Sequence, residues 1–248
     1  MSATALQALI FDVDGTLADT ESVHLAAFNH AFKEMGMSWV WSEALYTELL
    51  NISGGKERIF HYWKSIHPEV RELGSGALND TVNRLHELKT AAYESAVTEG
   101  AVNLRPGVLQ LMEEACQANM QLAIATTTSP VNIAALLSRA IGPDWRTWFV
   151  AIGDASTAPI KKPHPQVYLQ MLAALKLSAD QCIAFEDSSN GLRSATAAGI
   201  ATVISPTHFT QMHDFRDALC VAQDLAQLDL ASLRRLHGQR PQRLPSIS

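Results

Sequence analysis

Four short segments carry most of the side chains in this sequence that could do chemistry at one place. Phe11 to Thr16 brings Asp12 and Asp14, and Thr126, Thr127, Thr128 and Ser129 form a hydroxyl run. Lys161 and Lys162 precede Pro163, and Glu186 and Asp187 close the series. Apolar runs that read as buried strands lead into three of the four: Ala8–Phe11, Met120–Ala125 and Cys182–Phe185. Such runs, bounded by turn residues and alternating with helical stretches, argue for a parallel sheet in an α/β fold. Polar groups at the carboxyl ends of such strands line the crevice where these sheets bind ligands. One crevice then collects Asp12, Asp14, Glu186 and Asp187, and four carboxylates cannot all stay ionised there without a cation. An all-oxygen donor set suits a hard ion. Mg²⁺ is the natural candidate, because it accepts one or two carboxylates, waters and a phosphate oxygen.

The individual residues suit phosphoryl transfer. Asp12 ends a strand, and its carboxylate can attack phosphorus once a cation removes the charge repulsion. Asp14 lies on the same side of the extended chain, where it can hold a proton for the leaving oxygen and later take one from water. Gly15 permits a tight turn and Thr16 can donate to a phosphate. Thr126 offers hydroxyl and backbone donors to transferring oxygens. Thr127, Thr128 and Ser129 precede Pro130, which suits a first helical turn. They can cap that helix, bind substrate, or do both, since helix N-termini attract anions.

In this order, D-V-D-G-T, T-T-T-S, K-K-P and E-D-S resemble the haloacid dehalogenase superfamily of phosphoryl-transfer enzymes, over roughly Ala8 to Leu228. The resemblance implies a Rossmann-like core with a helical cap inserted after the first motif. It makes Asp12 the nucleophile and Asp14 the general acid/base, and it picks Lys162, next to Pro163, as the charge-neutralising lysine. Lys161 is then left to solvent. The segments D-T-E-S-V-H at Asp19–His24 and S-G-G-K-E-R at Ser53–Arg58 look like the branch that contains β-phosphoglucomutase and the CbbY phosphatases. That likeness implies a Mg²⁺-dependent phosphatase that hydrolyses a sugar bisphosphate, xylulose 1,5-bisphosphate foremost, through an aspartyl-phosphate. A sugar phosphomutase and a non-catalytic sugar-phosphate binder are the alternatives. The likeness of T-T-T-S-P and the S-G-G-K turn to the CbbY pattern favours the phosphatase, and the mutase pattern carries a polar amide where Pro130 stands.

Substrate choice is expected in the cap. Asp19 and His24 stand just beyond the hinge, and Ser53, Gly54, Gly55 and Lys56 offer backbone donors and a cation for a second phosphate. Lys89 resembles a family lysine that points at the substrate, and His86 shares its helix face. Trp39, Trp41 and Trp63 read as cap core. From Leu17 to Val97 the apolar spacing is helical throughout, punctuated by Gly36, the Ser53–Lys56 turn and Gly74–Gly76. Helices are expected near Val108–Ala118, Val131–Ala140, Pro165–Leu175 and Gly191–Ala198, the last closed by Gly199. The expected division is a core of residues 1–16 and 103–233, a cap of residues 17–102, and a disordered basic tail from Arg234 to Ser248.

The chain has 248 residues, 47% of them hydrophobic, enough for a sizeable core. A net charge of −6 argues against a general nucleic-acid binder. Cys116, Cys182 and Cys220 are widely spaced and read as buried thiols, with neither a zinc site nor a disulfide framework. No apolar run reaches a membrane span, and the N-terminus lacks a signal-peptide pattern. The expectation is a cytoplasmic monomer acting on a small phosphorylated sugar, with plastid residence if a transit peptide has been removed.

Overall fold

The computed structural model describes residues 4–67 and 76–239. Gly74 and Ser75 of the expected turn, and residues 240–248 of the expected tail, lie outside them. Six parallel strands form the sheet: β1 Ala8–Phe11, β2 Gln121–Ala125, β3 Ala151–Gly153, β4 Cys182–Glu186, β5 Ala201–Ile204 and β6 Cys220–Val221. Their spatial order is β3-β2-β1-β4-β5-β6. The fold is therefore α/β, and this strand order is that of a Rossmann-like doubly wound sheet. β2 and β4 both pair with β1, so the order reverses there and opens a crevice beyond their carboxyl ends.

Alternation along the central strands builds two unlike faces. Leu9, Phe11, Leu122, Ile124, Ile183 and Phe185 point into the larger apolar cluster. Their neighbours Ala8, Ile10, Ala123, Ala125, Cys182 and Ala184 point into the smaller one. That is the period of two expected of strands covered on both sides. Helices α5 Val108–Gln117, α6 Pro130–Ile141 and α9 Leu230–Gly238 cover the first face. Helices α7 Gln166–Leu175 and α8 Ser189–Ala197 cover the second. Gly199 takes φ +82° directly after α8, a conformation that favours glycine at a helix end.

Between β1 and α5 the described chain is helical: α1 Glu21–Glu34, α2 Glu43–Leu49, α3 Gly55–Ile66 and α4 Gly76–Thr98. These helices surround their own cluster, in which Phe28, Phe32, Trp41, Tyr46, Ile59 and Leu85 are buried and Trp39 and Trp63 pack alongside. The far end of this block is merged with the core, because Ala27, Tyr93 and Val97 belong to the main cluster. Its two connecting segments are hydrogen-bonded together: Ala18 bridges Leu104, and Arg105 N–H donates to Leu17 O at 2.8 Å.

Two expectations need correction. Arg234 and Arg235 belong to α9 rather than to a disordered tail. Asp229 caps that helix, Leu233 is fully buried, and the ring of His237 meets Asp180 O at 2.8 Å. The helix is held by its apolar stripe, and its arginines simply face water. Of the three cysteines only Cys182 is buried; Cys116 is exposed and Cys220 half-buried.

Candidate active site

The chain turns sharply where β1 and β4 end, and both turns put carboxylates into the crevice. Asp12 N–H donates to Phe185 O at 3.0 Å, which docks the end of β1 against β4. Buried oxygens of Asp12, Glu186 and Asp187 then lie within 4.8 Å of one another. Lys162 enters from the loop before α7. Its ammonium donates to Asp12 Oδ1 at 2.6 Å, Glu186 Oε1 at 2.5 Å and Ala125 O at 2.8 Å. The Tyr168 hydroxyl donates to the same Glu186 oxygen at 2.5 Å, and Thr210 donates to Asp187 at 3.2 Å.

Three buried carboxylates face one ammonium, so full ionisation would leave the cluster with surplus negative charge. Burial pushes the Asp12 carboxyl up to about 7; Lys162 opposes that rise, while Glu186 and Asp14 add to it. Asp187 is raised well above the carboxylate range by burial, then by Asp12 and Glu186. A hard divalent cation would relieve that charge, and an all-oxygen donor set is what Mg²⁺ prefers. Two glycines leave room around these acids. A Cβ at Gly15, where φ is +79°, would stand 2.3 Å from Asp187 Oδ2. At Gly191 it would stand 1.8 Å from Glu186 Oε2. The residues present therefore fit a cation of this kind.

Asp14 departs from the expected metal set, because its carboxylate turns away from the cluster and toward α1. It accepts from Thr20 Oγ1 at 2.8 Å and meets His24 Nε2 at 3.1 Å. Lys89 Nζ lies 2.8 Å from His24 Nδ1. An ammonium can only donate, so Nδ1 accepts and Nε2–H is the donor to Asp14. Burial, then the Lys89 charge, lowers the His24 pKa and keeps the ring neutral. Lys89 itself is lowered to about 8, chiefly by burial. Burial alone would raise Asp14, but His24, Thr20 and Lys89 together hold it well below the usual carboxylate range.

A cavity of about 510 Å³ runs from this cluster to the helical block. Its lining includes Thr126, Thr127, Thr128 and Ser129 on the core side and His24, Ser53, Gly54, Gly55, Lys56 and Lys89 on the other. Thr126 is buried, its amide bonded to Gly153 O and its hydroxyl accepting from Thr128 N. The hydroxyls of Thr16 and Ser129 are buried without a partner. The Ser53–Lys56 turn is the entry to α3, with Gly54 at φ +99° before the first turn. With α6 and α8, three helix N-termini thus open on the cavity, each favouring an anion.

Two further expectations fail here. Asp19 is exposed and does not line the cavity; the following residues, Thr20 and Glu21, are the ones turned inward. Lys161, expected in solvent, lines the cavity and lies 3.7 Å from Glu57. Sequence reasoning also missed Glu21, whose carboxylate accepts from Tyr46 Oη at 2.6 Å. Arg58 donates to the same Tyr46 oxygen at 3.0 Å. Arg105 is a third omission. Its guanidinium donates to the carbonyls of Gly15, Ser205, Pro206 and Gln223, tying the turn after β1 to the loop after β5. Glu21 and Arg58 lie inside the Asp19–His24 and Ser53–Arg58 segments, whereas nothing local marks Tyr46 or Arg105, which arrive from other elements.

A haloacid dehalogenase-like hydrolase family model matches residues 9–205, which span every element of the acidic cluster. The chain belongs to the haloacid dehalogenase-like hydrolases. Within the family it stands with the CbbY proteins. It is 49% identical to the plasmid-encoded CbbY of Cupriavidus necator over 94% of this chain and 97% of that one. CbbY from Rhodobacter sphaeroides is 37% identical, with a TM-score of 0.84 over 92% of this chain and 99% of that structure. That protein has been crystallised with phosphate and, as a variant, with xylulose 1,5-bisphosphate. β-Phosphoglucomutase of Clostridium difficile, at 21% identity and a TM-score of 0.75, shares the fold. This haloacid dehalogenase-like hydrolase is accordingly a phosphatase. None of its described helices is long and apolar enough to cross a membrane.

Proposed function

We propose that the protein is a Mg²⁺-dependent sugar-bisphosphate phosphatase, with xylulose 1,5-bisphosphate as its substrate. The observation that carries this is the division of the two motif aspartates. Asp12 is bonded to Lys162 inside the acidic cluster, while Asp14 is turned to the cap side beside His24. This division supports a reading in which one carboxylate attacks phosphorus and the other manages the proton of the leaving sugar oxygen. The R. sphaeroides complex adds support, because the bisphosphate is the ligand of that relative.

In this mechanism Asp12 bonds to phosphorus and displaces the sugar oxygen, which takes a proton from Asp14. Asp14 is ionised in the resting site, so it takes that proton from solvent as the substrate enters and a phosphate dianion beside it raises its affinity, and it returns one to solvent after the water step. A water then loses a proton to Asp14 and displaces Asp12, releasing phosphate. Thr126, Thr16 and the α6 N-terminus donate to the phosphoryl oxygens, and Lys162 keeps Asp12 in place. Asp12, Glu186 and Asp187 would hold Mg²⁺, which would supply neutralising charge for phosphate beside the carboxylates. Lys56, Lys161 and the Gly54–Gly55 amides face the remote end of the substrate, with Glu21, His24, Lys89 and Thr127–Ser129 around the sugar.

Phosphate release from a panel of sugar mono- and bisphosphates with Mg²⁺ tests the assignment. Xylulose 1,5-bisphosphate should give the highest kcat/KM. Faster conversion of β-glucose 1-phosphate to the 6-phosphate than any phosphate release would make the protein a mutase instead.

A further inference from the structure

The loop after β5 places one aromatic ring of the core inside the cap. Among the described residues, Phe209 is the one member of the cap's apolar cluster that does not come from the helical block. It is 4% exposed and meets the Tyr46 ring edge-on at 5.9 Å. The turn that carries it is braced internally. Phe209 N–H donates to Thr207 Oγ1 at 3.2 Å and Thr207 N–H to Thr210 Oγ1 at 2.9 Å. Arg105 holds the start of the same loop through Ser205 O and Pro206 O. One residue beyond Phe209, Thr210 donates to Asp187. Beside Phe209, His208 Nε2 meets Glu43 Oε1 of α2 at 2.7 Å; that pair is exposed and adds little.

Tyr46 is where this contact acquires chemical meaning. Its hydroxyl donates to Glu21 and accepts from Arg58, two charged groups that line the cavity. A continuous set of packed and bonded groups therefore runs from Asp187 through Thr210, Phe209 and Tyr46 to Glu21 and Arg58. We propose that Phe209 is a positioning residue: it seats the cap over the acidic cluster and, through Tyr46, aims Glu21 and Arg58 at the part of the substrate remote from the transferred phosphoryl group. The proposal rests on the reading that a sugar phosphate spans the cavity between core and cap. A buried aromatic contact is a suitable fixture for that purpose, because its geometry is defined and its polar surroundings stay free for the ligand.

Phe209→Ala and Phe209→Leu separate this role from a purely structural one. With xylulose 1,5-bisphosphate, Phe209→Ala should raise KM about tenfold, the effect of losing one aromatic pair together with its burial. Its kcat should change less, and Phe209→Leu should recover most of the loss. Hydrolysis of p-nitrophenyl phosphate, which offers Glu21 and Arg58 neither a sugar hydroxyl nor a second phosphate, should stay close to the wild-type rate. Hydrogen exchange reports seating without any substrate: Phe209→Ala should speed exchange in α2 while β1 and β4 keep their wild-type protection. A wild-type KM, an equal loss on both substrates, or unchanged exchange in α2 would overturn the proposal. Wild-type protein that releases no phosphate from the bisphosphate would overturn the functional reading instead, and the exchange experiment would still decide the role of Phe209.

Discussion

Gly191 shows how closely single residues are fitted to the acidic cluster. Alanine suits a helix better than glycine by about 1 kcal/mol, so at most positions of α8 the exchange would help. Here the new Cβ would meet Glu186 Oε2 at 1.8 Å, while Lys162 and Tyr168 pin the other oxygen. Gly191→Ala should therefore keep the fold by circular dichroism and lose about a hundredfold in kcat/KM, the scale of an ångström-sized misplacement at a reacting centre. Asp19 and Glu21 make a contrasting pair. Asp19→Ala removes an exposed side chain outside the cavity and should leave kinetics near wild type. Glu21→Gln removes the charge that Tyr46 bonds to, and should raise KM for the bisphosphate roughly tenfold or more. Equal kinetics for the two variants would remove Glu21 from the substrate site. His86 reports the field on the lysine side. Burial first, then Lys89, Lys56 and Lys161, lowers its pKa from 6.5 to about 3. Between those values the unfolded chain binds a proton that the folded one refuses. The contribution of His86 to stability is thus present above pH 6.5 and is lost as pH falls toward 3. Imidazole NMR shifts should show no titration of this ring between pH 8 and 5; a midpoint near 6.5 would contradict the positive surroundings assigned to it.

Secondary-structure elements divide by how locally their causes are written. β1, β2 and β4 were legible because each is an apolar run buried on both faces, bounded by polar turn residues. β3 and β6 were not identified, since three and two residues give too little pattern, and β5, as short as β1, is interrupted by Thr202 and leads into no acidic motif. α9 was mistaken for a tail because its paired arginines outweighed a real signal. Leu230, Leu233 and His237 form a buried stripe, and Asp229 and Ser232 cap each other's backbone amides. Leu233→Ala should cost about 2–5 kcal/mol in chemical denaturation; a loss below 1 kcal/mol would return α9 to the status of a loosely held end. The candidate site followed the same rule. Asp12, Glu186, Asp187 and Lys162 sit in short motifs at strand ends or before proline, so residue type and spacing revealed them. Tyr168 and Thr210 reach the site from a helix and a loop whose local sequence carries no sign of it, whereas Arg58 ends the Ser53–Arg58 segment and only its pairing with Tyr46 was not legible. Asp14 is expected among the metal carboxylates because it stands with Asp12 at a strand's carboxyl end, but the chain turns at Gly15 and its carboxylate faces Thr20 and His24 instead.

The whole molecule brings a charged cap to a core that concentrates negative charge at one point. The helical block merges with the core at its far end, where Tyr93 and Val97 join the main cluster, and touches it again at Phe209. Between those two contacts lies the 510 Å³ cavity, with the acidic cluster on one side and Lys56, Lys89 and Arg58 on the other. The central claim is that Asp12 becomes transiently phosphorylated at the floor of this cavity. Rapid mixing with xylulose 1,5-bisphosphate and Mg²⁺, acid quenching and mass spectrometry of the digested protein test it most directly. The expected result is one added phosphoryl group on the peptide containing Asp12, appearing within the first turnover, decaying as phosphate is released, and absent from Asp12→Asn. Turnover of the bisphosphate without that adduct, or appreciable activity in Asp12→Asn, would contradict the account.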